Sequence, residues 1–373
     1  MARGQDGKSL PKFQQNLLDW FRASRRDFPW RRSHDPYRVW VSEVMLQQTR
    51  AAAVLPYYNR FLRAFPSLGA LARARHESVL RAWSGLGYYS RARNLHRAAQ
   101  IAVQNHRSRF PIEIDAALAL PGVGRYIARA VLSIAYGQPL AVLDGNVARV
   151  IARREAIEGD LREPARWKRL QTVADRWLPP DAPGDWNQAM MELGATVCMP
   201  RRARCDTCPV RSGCLAFRLG IVDRLPERRP KPAPVRLRLA AAVLVDRQGN
   251  TLLTRTAKSD AADLGPLFSR MWQFPAVGAE GDSAAELRRY LAAKFGLCAR
   301  GLQPLGKLRH TVTFRQITIE PWLLHVEKLP AAAPGRVIAL DRVPKMAISS
   351  ASRKIAAAAL ATIAPGKSPS RRP

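Results

Sequence analysis

The sequence predicts two unlike domains, an all-α domain followed by an α+β domain, and three observations predict it. Helical spacing of apolar residues runs from 10 to about 217 with no alternating segments between. A stretch dense in proline and basic residues, 218–236, comes next. Beyond it the apolar period shortens to that of strands.

Each element has its own justification. Phe13, Leu17, Trp20 and Phe21 fall at i, i+4, i+7 and i+8, one face of a helix that ends before Pro29. Alanine-rich segments at 91–104 and 127–136 repeat this spacing. In the linker, Pro226, Pro230, Pro232 and Pro234 alternate with Arg and Lys, so the chain is held in an extended, semi-rigid form. Residues 237–245 then predict a strand, Asp246-Arg247-Gln248-Gly249-Asn250 a turn, and 251–255 a second strand. Residues 282–295 predict a helix, 311–324 alternate with β-branched residues, and 355–364 suit a short helix. The tail 364–373 is expected to be disordered, and no internal repeat is visible.

At ~100–200 residues per domain, 373 residues suit two domains, possibly three. Lys plus Arg is 61 against 29 for Asp plus Glu, a formal charge of +32, and the sequence pI is about 11.3. An imbalance of that size costs self-repulsion and points to a polyanionic partner, nucleic acid first and a membrane surface second. With 47% hydrophobic residues the chain is globular rather than a disordered basic arm. No apolar stretch approaches the ~20 residues of a membrane span. The opening Met-Ala-Arg-Gly-Gln-Asp has no apolar leader, and four of five cysteines crowd between Cys198 and Cys214. These features set the expectation of a bacterial cytoplasmic protein, nucleoid-associated in function, with a metal site rather than disulfides. Cys298 is expected to be a buried structural thiol.

Two motifs carry chemistry. Leu120-Pro121-Gly122-Val123-Gly124-Arg125 precedes an apolar helix, so Gly122 and Gly124 would let backbone N–H groups approach an anion at a helix N-terminus. An ordinary turn between helices is the plainer alternative. The second motif is Cys198, Cys205, Cys208 and Cys214, spaced by six, two and five residues. Four thiolates in one short loop bind zinc or an iron–sulfur cluster, and spacing alone leaves both open.

Together with Leu143-Asp144-Gly145-Asn146-Val147, these motifs resemble the helix-hairpin-helix superfamily of DNA glycosylases that carry a [4Fe–4S] cluster. Val39-Trp40-Val41-Ser42-Glu43-Val44-Met45-Leu46-Gln47-Gln48-Thr49 and Trp83-Ser84-Gly85-Leu86-Gly87-Tyr88-Tyr89-Ser90-Arg91-Ala92-Arg93-Asn94-Leu95 resemble its adenine-specific mismatch glycosylases. The resemblance runs through 13–217 and continues more weakly beyond. It implies a helical glycosylase domain over 1–217, with a six-helix module at about 30–140 and a cluster module made of the N-terminal helix plus 141–217. A linker at 218–236 and a Nudix-like opposing-base domain at 237–363 complete the expected plan. The implied partner is double-stranded DNA containing a mispaired adenine, bound by a monomer with no membrane role. Protein partners such as a sliding clamp are not legible.

Cleaving an N-glycosidic bond needs an acid that protonates the leaving base and a carboxylate that stabilises an oxocarbenium-like sugar. Glu43 and Asp144 resemble the family's two carboxylates; in isolation they could be a first-turn helical acid and a turn or cap residue. A Glu of ordinary pKa, ~4.3, is protonated in only about one molecule in 500 at neutral pH, so its pocket must raise it. Tyr126 stands where bifunctional relatives resembling endonuclease III place a Schiff-base lysine, and tyrosine forms no such adduct. The expectation is a monofunctional enzyme that releases adenine and leaves an abasic site. A bifunctional pyrimidine-damage glycosylase and a catalytically silent, metal-stapled DNA-binding protein are the alternatives.

Further residues are implied by the resemblance. Trp30, Arg31, Leu46, Asn146 and Gln188 resemble adenine-pocket residues, while Gln48, Thr49, Leu86 and Tyr88 resemble those that fill or wedge the stack beside the opposing base. Arg201, Arg202 and Arg204, inside the cysteine loop, are expected to meet phosphate. Met271-Trp272-Gln273-Phe274-Pro275 resembles the aromatic-Phe-Pro strand of the Nudix-like domain, yet 281–297 lacks the carboxylates of a phosphohydrolase, Glu286 being the only one beyond Asp282. Where the family's hairpin has an aromatic, Ser and His, this chain has Val312-Thr313-Phe314. Thr313 keeps a hydroxyl, but a phenyl ring donates no hydrogen bond, so an altered preference among opposing bases is expected.

Overall fold

The computed structural model describes residues 11–227, 233–255, 271–312, 314–332, 335–346 and 348–363. Thr313, residues 228–232 of the linker and the tail 364–373 lie outside the described residues. By contacts the chain divides into two units, Met1–Ala74 with Ser90–Pro230, and Arg75–Tyr89 with Lys231–Pro373.

The first unit is helical: α1 (Lys12–Ser24), α2 (Pro36–Leu46), α3 (Ala51–Ala64), α4 (Leu68–Arg73), α6 (Tyr89–Asn105), α7 (Ile114–Leu118), α8 (Arg125–Tyr136), α9 (Gly145–Arg154), α10 (Pro164–Trp177), α11 (Pro183–Thr196) and α12 (Leu215–Arg218). The α1 face inferred from spacing is the one that packs, with Leu17, Leu18 and Phe21 fully buried. They join Val147, Ile151, Leu170, Trp186 and Leu193 in one core, and each such side chain contributes about 1.5–3 kcal/mol. Phe13 closes it edge-on to Trp177 and Trp186, at 5.1 and 5.3 Å. Residues 11–24, although first in the chain, are thereby built into the same core as α9 to α11.

The second unit is a mixed sheet with a helix on each face. Its elements are α5 (His76–Trp83), β1 (Val235–Val245), β2 (Asn250–Thr254), β3 (Ala276–Gly278), α13 (Ser283–Phe295), β4 (Gln303–Pro304), β5 (Leu308–Val312), β6 (Arg315–His325), β7 (Gly335–Ala339) and α14 (Ser350–Ile363). The sheet order is β4-β6-β1-β2-β7, with β3 also paired to β1 and β5 to β6. β1 and β6 run parallel in unbroken register from Val235↔Arg315 to Val245↔His325. Leu239, Ala241 and Val243 face a core shared with α14, and Ala240, Ala242 and Leu244 face one shared with α13. A strand buried on both faces explains the continuous apolar run at 239–245.

Several expectations are refined by the structure. The alternation at 311–324 splits into β5 and β6, a hairpin. Residues 271–275 form no regular strand: Gln273 and Trp272 make only isolated bridges, to Thr254 and Ile348. Cys298 is exposed, not buried. α13 ends in a left-handed Gly296, after which Leu297 and Ala299 turn inward and Cys298 between them turns out. Glu286 is occupied in folding, accepting from the N–H groups of Glu280 and Gly281 at 3.2 and 3.0 Å. No helix among the described residues is long and apolar enough to cross a membrane.

Candidate active site

Glu43 lies in the eighth position of α2, not the first turn. Asp35 caps that helix through the N–H of Arg38 at 2.8 Å, and Pro36 presets its first turn. Nearly every side chain from Val39 to Met45 is buried, and Glu43 with them, at 4% exposure. The Arg91 guanidinium closes the far end of α2, donating to the carbonyls of Val44, Met45 and Gln47.

The hairpin 120–124 delivers Tyr126 to Glu43. Gly122 has φ +78°, and a Cβ there would come within 2.7 Å of the Asn94 Cβ. α8 then starts at Gly124 without a side-chain cap, and Tyr126 Oη donates to Glu43 Oε2 at 2.6 Å. Met191 of α11 lies 3.4 Å from the same hydroxyl through its sulfur. Burial pushes the Glu43 carboxyl up to about 7; the Tyr126 hydrogen bond opposes this, Asp144 adds to it and Arg31 opposes it. Burial beside both carboxyls keeps the Tyr126 phenol protonated, so it has a proton to donate to Glu43.

Asp144 is the N-cap of α9. Its Oδ1 accepts from the N–H groups of Asn146 and Val147 at 2.9 and 2.7 Å, and its Oδ2 accepts from Asn146 Nδ2 at 2.9 Å. Arg149 Nη2 donates to Asn146 Oδ1 at 2.9 Å, which fixes the amide's orientation. Burial raises the Asp144 carboxyl, while these donors and Arg149 pull it down. Asp144 accepts three hydrogen bonds and Glu43 one, so Glu43 is the easier of the pair to protonate.

Other expected residues are placed separately. Arg31 donates to Glu192 Oε2 at 2.8 Å and to the Arg26 carbonyl, and Arg26 completes the pair on Glu192. These two guanidiniums hold the Glu192 carboxyl down at about 2 despite burial. Trp30 is buried, stacked on Phe28 at 4.6 Å, and Gln188 is turned to the Gly184 carbonyl. Leu46 is half-buried at the end of α2, Gln48 is exposed with φ +55°, and Thr49 Oγ1 accepts from Arg91. Arg201, Arg202 and Arg204 are exposed. Leu86 and Tyr88 belong to the second unit.

The sequence reading passed over Glu192, Met191 and Arg149. Glu192 follows Gln188 by one helical turn and Arg149 follows Asn146 by three residues, so helical spacing from suspected pocket residues was the available signal.

Behind Asp144, α9 and α11 touch closely, since a Cβ on Gly194 would meet the Asn146 Cβ at 2.7 Å. Arg149 spans this contact, donating to the Gly194 and Cys198 carbonyls at 2.8 Å each. Cys198, Cys205, Cys208 and Cys214 line one partly open cavity, with Arg153 and Arg204 at its wall. Arg153 Nη1 lies 3.3 Å from Cys198 Sγ, while its Nη2 is buried without a partner. Burial and the neighbouring thiols push Cys208 up to about 11. Four thiols in one place, beside an unpartnered guanidinium nitrogen, suit a bound metal group.

Comparison with known proteins places the chain in a family. Residues 41–175 match the HhH-GPD superfamily of base excision DNA repair proteins. The adenine DNA glycosylase of Mus musculus is 34% identical, over 94% of this chain and 78% of its own length. That of Homo sapiens is 33% identical, over 94% of this chain and 74% of its own. A thermostable thymine-DNA glycosylase structure superposes with a TM-score of 0.51 at 29% identity, over 56% of this chain and 95% of its own. With the match running through both units, the chain belongs to the adenine DNA glycosylase family and is a base excision repair enzyme that removes adenine.

Proposed function

We propose that the enzyme hydrolyses the N-glycosidic bond of adenine mispaired with 8-oxoguanine or guanine, leaving an abasic site without cutting the strand. The observation that carries this is the buried Tyr126 Oη···Glu43 contact at 2.6 Å, beside a carboxyl that burial raises to about 7, which suits a general acid at neutral pH. Glu43 gives its proton to the base, the sugar–nitrogen bond breaks with its electrons leaving on adenine, and ionised Asp144 stabilises the sugar cation. Water then adds its oxygen to the anomeric carbon and returns a proton to Glu43. Tyr126 has no amine, so no covalent Schiff base with the sugar forms. Asn146 serves by holding Asp144, while Trp30, Arg31, Leu46 and Gln188 shape the adenine pocket.

DNA is gripped through its phosphates. Gly124 has neither a positive φ nor any atom within 4 Å of an added Cβ, so the fold itself does not require glycine there. The close approach of a phosphate to the uncapped start of α8 does. Gln48, Thr49, Leu86 and Tyr88 occupy the stack beside the opposing base, and Thr313 reads that base.

The four cysteines hold a [4Fe–4S] cluster. Four thiols line one cavity, a donor set suited to a soft metal group. Those cysteines would hold the cluster, which would supply structural cross-linking, and Arg153 would donate toward the Cys198 sulfur.

The test is single-turnover adenine release from duplexes with adenine opposite 8-oxoguanine, guanine or cytosine, followed by borohydride. Release from the first two with no trapped adduct is expected. An efficient covalent adduct, or no release from any duplex, overturns the reading.

A further inference from the structure

We infer that the sheet unit braces the turn Ser84-Gly85-Leu86-Gly87-Tyr88, with Tyr89 and Arg353 as positioning residues that aim Tyr88; this rests on the reading of Tyr88 as the base wedge. Three residues of the turn are left-handed, Gly85 at φ +101°, Gly87 at +77° and Tyr88 at +47°. Tyrosine does not adopt that backbone without support from its surroundings. Tyr88 itself is 43% exposed, so its own side chain does not bury the turn.

The support comes from residues far along the chain. Inside the turn, the Leu86 N–H donates to the Trp83 carbonyl and Trp83 Nε1 donates to the Gly87 carbonyl, each at 3.1 Å. Tyr89 Oη accepts from the Gly85 N–H at 3.4 Å and donates to the Ile348 carbonyl at 2.9 Å. Arg353 donates through Nη2 to Ser84 Oγ and through Nε to the Pro344 carbonyl at 3.0 Å. Glu77 of α5 pairs with Arg336 of β7 at 2.5 Å. Tyr89 and Ser84 thus pin both ends of the left-handed stretch to the start of α14.

The next residue on α14 links this brace to the opposing-base hairpin. Lys354 Nζ donates to the Arg309 carbonyl at 3.1 Å, within β5, the strand that leads into Val312-Thr313-Phe314. Residues 353 and 354 therefore tie the wedge turn and the recognition strand to one helix. A displacement of either is passed to the other through a short rigid element rather than through solvent. Tyr89, next to the wedge, anchors it.

The experiment uses the full chain and two substrates, adenine opposite 8-oxoguanine and adenine opposite an abasic site, where no base remains to be held by a wedge. Tyr89→Phe and Arg353→Ala are expected to slow single-turnover release at least tenfold on the first and less than twofold on the second. Arg353→Lys is expected to recover to within threefold, and thermal melts report whether each variant is folded. Equal slowing on both substrates, or none on either, overturns the inference. Tyr88→Ala separates the levels: if it slows the first substrate while Tyr89→Phe and Arg353→Ala do not, the brace fails and the wedge stands. If Tyr88→Ala has no effect, the wedge reading itself fails, and an inactive parent chain overturns the proposed function.

Discussion

Replacing Tyr126 with Phe removes one hydroxyl and leaves the ring that packs beside Met191. That hydroxyl holds the Glu43 carboxyl down by donating to it at 2.6 Å, against burial that lifts it to about 7. A hydrogen bond to a charged group contributes about 1.5–3 kcal/mol, and at about 1.4 kcal/mol per pH unit its loss moves the titration up by about one to two pH units. The sign follows from what is lost: the donor favours the ionised form, so without it Glu43 keeps its proton to higher pH. Single-turnover adenine release measured from pH 5 to 10 should fall with rising pH in the parent, and the falling limb should sit about one to two pH units higher in Tyr126→Phe. A limb that stays where it was, or moves to lower pH, refutes the assignment of Glu43 as the titrating acid under control of Tyr126.

Glu43→Gln should lose at least a hundredfold in release with duplex binding retained in a gel-shift assay. Because burial raises this carboxyl from its ordinary value of 4.5 to about 7, the folded chain loses stability as pH rises through that interval. Glu43→Gln should therefore melt higher than the parent at pH 9, by up to about 3 kcal/mol, and no higher at pH 4. Glu192 behaves in the opposite sense: its depressed carboxyl gives stability that is complete above about pH 4.5 and is lost as pH falls toward about 2. Glu192→Ala leaves Arg31 buried without its partner and should cost about 3–5 kcal/mol in denaturant unfolding at pH 7. Cys208→Ser should abolish the brown visible absorbance expected of the purified protein; full colour in that variant would count against Cys208 as a ligand, and a colourless parent would count against the cluster.

Helices were legible wherever one face packs, because a 3.6-residue apolar period survives any tertiary arrangement. The apolar run at 239–245 was legible as a strand for the corresponding reason: a strand buried on both faces needs no polar positions. Glu43 and Asp144 were legible through their motifs, but what separates them chemically was not. That difference depends on Asn146, Val147 and Arg149 surrounding one carboxylate and a single phenol touching the other. Cys298 was misplaced because the left-handed Gly296 resets which side of the chain faces in, and composition carries no such phase. The partners of α5 were invisible for a further reason. Its contacts lie about 260 residues away, and no local pattern encodes a hydrogen bond such as Tyr89 to Ile348, separated by 259 residues.

That separation sets an order of events during synthesis. At about 5–20 residues per second, the Ile348 carbonyl is made roughly 13–50 s after the Tyr89 hydroxyl it will accept from. For that interval the strained turn at 85–88 lacks Ile348 and Arg353, and α5 lacks Arg336. The sheet unit is likewise not a separable C-terminal piece: cut at residue 231, it would leave Ile348 and Arg353 facing water where Tyr89 and Ser84 belong. A truncated chain that keeps Glu43 and Asp144, but stops before α14, would lose the contacts that give the turn its shape.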